Sequence, residues 1–180
     1  MNNQFPTSPP PGNLAQLNQI EMTRYNLMRQ LKSSASWFYW IAALSMINWI
    51  ASAFNIGYSF VVGLGATQFV DGVAQALIEN VGSEFATILT VISLIATVGI
   101  AGMYALFGYF GNKRASWAFL IGIILYILDA GLFIWVQDWM PLIFHGLALL
   151  YLFRGPGLIK KLKALDENQP TAIPTPQTFL

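Results

Sequence analysis

Three apolar stretches, at about residues 37–62, 85–110 and 115–136, each exceed the ~20 residues that carry an α-helix across a bilayer, and a shorter fourth occupies 139–153. No other feature narrows the possible folds as far. In hydrocarbon the backbone N–H and C=O groups must be satisfied within the protein, so stretches of this length form helices. Only 9% of the residues are charged and 56% are hydrophobic, against roughly a quarter charged in a soluble domain. The expected fold is all-α: a polytopic membrane protein built as a four-transmembrane-helix bundle with an outer amphipathic helix.

The nine Lys and Arg residues fall into three clusters: Arg24, Arg29 and Lys32; Lys113 and Arg114; and Arg154, Lys160, Lys161 and Lys163. Two apolar stretches separate each cluster from the next. By the positive-inside rule all three face the cytoplasm, and both termini do as well. The outer loops then hold Asp71, Glu79, Glu84 and Asp138 but no basic residue. A fifth span over 57–78 would carry Gln68 and Asp71 into hydrocarbon and split the basic clusters between two sides, so the charge pattern disfavours it. The expected location is a bacterial inner (plasma) membrane, with the lipid bilayer as the first partner.

Residues 1–13, "MNNQFPTSPPPGN", are Pro-rich and uncharged, which predicts a disordered tail. The membrane domain runs over 14–158. In its first part Leu17, Ile20, Leu27 and Leu31 recur at helical spacing beside the first basic cluster, giving either an amphipathic helix on the inner leaflet or an extension of the first span. The first 36 residues lack the apolar core of a secretory signal. "ASA" at 51–53 resembles a cleavage site, but cutting there would remove a span, so the first span is expected to be an uncleaved anchor. Gly155 and Pro156 are expected to break the fourth helix, leaving 159–180 as a basic, then Pro/Thr-rich cytoplasmic tail.

Between the first two spans, "ATQFVDGVAQALIEN" places Phe69, Val73 and Leu77 on one face and Gln68, Asp71, Gln75 and Glu79 on the other. This helix is expected to lie at the outer interface or cap the bundle, as a cover, lid or docking surface. Small residues mark packing faces in membranes. The second span carries Ser93, Thr97, Ala101 and Ala105 at steps of four, with Gly99, Gly102 and Gly108 alongside, and is the expected central helix. The third carries Ala115, Ala118, Gly122, Tyr126 and Asp129 on one face, and the fourth Pro141, His145 and Ala148. A polar row of Ser45, Asn48, Ser52 and Asn55 runs along the first.

Asp129 lies nine residues before Asp138 and His145 seven after it, so at ~1.5 Å per residue they sit about 13 and 10 Å below the outer surface. Asn48 lies at a similar depth. The expected cluster is Asn48, Asp129 and His145, with Ser45, Ser52 and Tyr126 nearby. An ionised aspartate in mid-span costs at least ~2.5 kcal/mol, so such a residue is usually paired or functional. Three roles follow: a hydrogen-bonded pair knitting the last two spans, a proton-linked relay, or a metal or quinone site. One histidine, no cysteine and one buried carboxylate make a poor zinc set, and a bis-histidine haem would require two chains. No cofactor or metal is expected.

No GxSxG, HExxH or Walker A motif occurs, and "GLG" at 63–65 lacks the third glycine of a dinucleotide fingerprint. Ser45, Ser52 and Ser93 leave an intramembrane hydrolase only formally open. The basic residues are too few and too dispersed for nucleic acid. The segment "LYILDAGLFIWVQDWMPLIFHGLALLYLFRG" resembles the closing helical hairpin of small uncharacterised bacterial four-span membrane proteins. The resemblance covers about 30 of the 180 residues; it implies a topology and no activity. The sequence thus points to a non-enzymatic membrane subunit or scaffold that meets a protein partner or a second copy of itself. The alternative is a small proton- or ion-linked transporter using Asn48, Asp129 and His145. Water reaching those residues would favour the transporter, and a dry core the scaffold.

Overall fold

The structure, a computed structural model, describes residues 11–54, 63–81 and 83–168. The first ten residues of the Pro-rich tail, Asn55 and the Pro/Thr-rich end lie outside them. Six α-helices follow in order: α1 Pro11–Ala53, α2 Gly65–Val81, α3 Ala86–Asn112, α4 Ser116–Trp135, α5 Trp139–Leu152 and α6 Arg154–Glu167, with a 3₁₀ turn at Ser83–Phe85. The described residues contain no strand. Three units, α3, α4 and the continuous α5–α6 pair, are long and apolar enough to cross a membrane. The described part of α1 falls outside this group; its C-terminal half interleaves Ser45, Asn48 and Ser52 with its apolar residues.

α1 has 43 residues, about 65 Å at ~1.5 Å per residue. Residues 14–32 are therefore a continuous helical extension of the first apolar stretch, not a separate helix. Around its middle, Phe38 is fully buried, with ring centroids 6.3 Å from Tyr104, 5.9 Å from Phe107 and 5.5 Å from Phe119. Gly122 makes this approach possible, since a Cβ there would lie 2.5 Å from Phe38 Cε1. On α3, Ser93, Thr97 and Ala101 are buried, Ala105 is half-buried, and a Cβ on Gly99 or Gly102 would meet nothing within 4 Å. The helix thus has one buried face, continued by Tyr104, Phe107, Gly108 and Gly111, and Gly99 and Gly102 lie off it.

α5 docks on α1 through the Ser34 hydroxyl, which donates to the Tyr151 carbonyl at 2.5 Å, and through Trp37 stacked on Tyr151 at 4.8 Å. The expected break at Gly155–Pro156 is small. Pro156 stands in the first turn of α6, where its missing N–H costs no hydrogen bond. Gly155 is a contact point, since a Cβ there would lie 2.2 Å from Phe119 Cε1. α6 buries Leu158, Ile159 and Leu162 in the same core as Leu31, so the packed helical domain extends to Glu167 and does not end at 158.

Two tight turns close on left-handed residues, Arg114 at φ 62° and Gln137 at φ 59°. In each, the next N–H returns to a carbonyl five residues back: Ala115 to Phe110 and Asp138 to Phe133, both at 3.0 Å. At one end of the bundle, Asp166 accepts from Arg24 at 2.5 Å and from Arg114 at 2.7 Å. This carboxylate gathers the segments carrying all three basic clusters at the same end.

The largest departure from expectation is α2. Leu64 meets Ser45 and Asp71 meets Ser52, both pairs separated by 19 residues, so α2 runs parallel to the end of α1. Asp71 also meets Ser93, and through the 3₁₀ turn α2 is antiparallel to α3. The helix therefore begins inside the bundle and rises out of it, instead of lying across its outer end. Its faces are inverted as well: Phe69, Val73 and Leu77 point outward, while Gln68, Asp71 and Gln75 turn toward α1.

Candidate functional site

The first N–H groups of a helix have no acceptor within it. A Ser, Thr, Asp or Asn just ahead commonly supplies one, but α2 is preceded by Gly63 and Leu64. Its acceptors come from other helices. Ser45 Oγ accepts from the Leu64 N–H at 3.0 Å while donating to the Ile41 carbonyl at 2.9 Å. Asp129 accepts from the Gly65 N–H at 2.8 Å through Oδ2 and from the Ala66 N–H at 2.7 Å through Oδ1. A carboxylate thus sits at the positive end of the α2 dipole. Gly65 is required for this fit, because a Cβ would stand 2.8 Å from Phe133 Cε2.

His145 completes the clasp. Its Nε2 lies 2.9 Å from Asp129 Oδ2 and its Nδ1 2.9 Å from the Pro141 carbonyl. A carbonyl only accepts, so Nδ1 carries a hydrogen. One hydrogen between Nε2 and Asp129 Oδ2 completes the contact and leaves every polar atom of the pair partnered. The imidazole stacks on Tyr126 at 4.3 Å and 12°, and Phe133 closes its edge at 5.1 Å. Asp129 is 5% exposed and His145 2%.

On the other flank of α2 lies a polar cleft of about 260 Å³, lined by Asn48, Trp49 and Ser52 of α1 and by Thr67, Gln68, Asp71, Gly72 and Gln75 of α2. Asn48 is 7% exposed, and neither end of its amide has a hydrogen-bond partner. It sits against Gly63, where a Cβ would lie 2.2 Å from its Nδ2. Asp71 accepts from the Ser52 hydroxyl and, at 3.1 Å, from Ser93, which itself accepts from Trp49 Nε1 at 3.3 Å. Among the described residues no basic side chain pairs with Asp71.

The expected cluster therefore divides. Asp129, His145 and Tyr126 come together, with Ser45 on the same helix terminus. Asn48 and Ser52 belong to the cleft instead, because the first turn of α2 descends between the two groups. Asp71, which the charge pattern places in an outer loop, stands on the cleft wall beside Ser52 and Ser93. A signal was present: "GLG" directly before an amphipathic helix with no cap of its own marks backbone that must approach something closely. The packing residues Ser93, Thr97 and Ala101 line the α3 core face, where the buried Thr97 hydroxyl has no partner. No group of three metal-ligating side chains occurs among the described residues. Comparison with protein-family models, curated proteins and solved structures finds no match for this chain.

Proposed function

We propose that this is an integral membrane protein crossing the bilayer four times, with both ends cytoplasmic and α2 re-entering from the outer side. It acts as a non-enzymatic subunit or scaffold, and Asp129 and His145 hold its shape rather than conduct protons. The observation that carries this reading is the completeness of the clasp: both residues are enclosed, partnered at each polar atom and packed between aromatic rings. The polar cleft alongside is lined by neither residue. Gathering of the basic segments at one end and exposure of Trp135 and Trp139 at the other support the topology, since aromatic residues anchor at the interface.

The test uses the purified protein in proteoliposomes under a pH gradient. Wild type should pass no protons above the lipid background, and Asp129→Asn and His145→Gln should each lower the melting temperature. Proton flux in wild type that vanishes in variants of unchanged stability would establish the transporter instead.

A further inference from the structure

We propose that the cleft between α1 and α2 is a binding site for a small organic ammonium group. Asn48 supplies the first argument. Its amide is more than nine-tenths buried and borders the cleft, and it offers one acceptor and two donors that no described residue uses. Buried polar groups in folded proteins are almost always paired, so an enclosed amide left without a partner beside a cleft points to a group that reaches it when the cleft is filled.

Asp71 supplies the second. A carboxylate has about four acceptor positions; the Ser52 and Ser93 hydroxyls take one on each oxygen and bring no positive charge. The remaining capacity adjoins the cleft and favours a cation. A primary ammonium carries three N–H donors; Asp71 and the Gln68 and Gln75 carbonyl oxygens line the cleft to accept them, and a small shift of the cleft wall would open Asn48 Oδ1 as well. The side-chain amide N–H groups then suit an oxygen a few bonds away on the same ligand. Trp49, on the same wall, adds a ring of the kind that attracts ammonium groups.

Size and position narrow the ligand further. The cleft holds about 260 Å³, room for roughly eight waters at ~30 Å³ each, which suits an organic molecule better than a bare ion. Asp71 is six residues along α2 from Gly65, and Trp135 six along α4 from Asp129, so both stand about 9 Å above the clasp. The opening thus lies level with exposed Trp135 and Trp139. That level equals the headgroup zone only if the membrane reading above holds; the recognition chemistry does not depend on it. The ammonium can belong to a lipid headgroup or to a free amine.

The experiment titrates the full-length protein in an amine-free detergent buffer with ethanolamine, following tryptophan fluorescence and melting temperature. Ethylene glycol, its neutral counterpart, and sodium chloride at equal ionic strength are the comparisons. Ethanolamine alone should give a saturable response, weakened about ten-fold or more in Asp71→Asn and in Asn48→Ala. The second variant removes no existing hydrogen bond, so it should remain folded even if the first does not. Equal responses to ethylene glycol or sodium, no saturable response, or unchanged titration of a folded Asn48→Ala would overturn the proposal. Repeating the titration in nanodiscs identifies the source: a several-fold weaker apparent affinity in phosphatidylethanolamine than in phosphatidylcholine, which is also zwitterionic but has no ammonium N–H, marks a competing lipid headgroup, and equal affinities mark a free amine.

Discussion

Asp129 does three jobs with two oxygens, and that arithmetic sets the consequence of changing it. In Asp129→Asn one oxygen still accepts, but the new NH₂ faces an α2 N–H or the imidazole, leaving a buried donor unmatched at a cost of about 1–3 kcal/mol. His145→Gln should cost less, because the α2 N–H groups keep their acceptors. The coupling in the double mutant should approach ~1.7 kcal/mol, the upper end for membrane hydrogen bonds, measurable by reversible unfolding in mixed micelles. Glycines provide a second contrast. Gly122→Ala drives a methyl into the ring of fully buried Phe38 and should destabilise by about 1–3 kcal/mol, whereas Gly102→Ala, with nothing within 4 Å, should be neutral or slightly favourable. Equal melting temperatures for the two would contradict this packing. The approach of Asp129 to His145 was legible in the sequence, because both are counted from one short turn at nearly equal distance. The position of Asn48 was not, since it depends on where a distant helix begins.

Among the elements, α2 shows how a periodic pattern can reveal a helix and its two faces while leaving its placement open. The steps separating Gln68, Asp71, Gln75 and Glu79 are the same whether the polar stripe faces water or a neighbouring helix. What decides is the helix start, and there the acceptors lie on α1 and α4, out of reach of any local capping pattern. The continuity of α1 was one of two readings that its sequence allowed. The turns were harder to anticipate, since Arg114 and Gln137 occupy left-handed positions where glycine is usual. Gln137→Gly should stabilise the α4–α5 hairpin by up to about 1 kcal/mol, while Gln137→Val should cost about 1–2 kcal/mol. Thermal melts of the two variants should bracket wild type.

At the scale of the molecule, Asp166 ties the N-terminal part of α1 to the α3–α4 turn and to α6. The site is partly exposed, so Asp166→Asn should cost no more than about 1 kcal/mol, and the difference from wild type should shrink in high salt. Topology is open to a direct check because the chain has no cysteine. Of single cysteines placed at exposed Gln30, Asn80, Ser116 and Ala164, only the one at Asn80 should react with an impermeant reagent in intact cells. Reaction at Ser116 without lysis would rule out four crossings with both ends inside. The origin of the α2 clasp has a further consequence for synthesis. The residue that holds the start of α2 lies 64 positions later in the chain, so while the ribosome is still making α3 there is no carboxylate for Gly65 and Ala66. Folding is thereby ordered in time: the start of α2 can be clasped only after α4 has been made, so its seating between α1 and α4 is a late step.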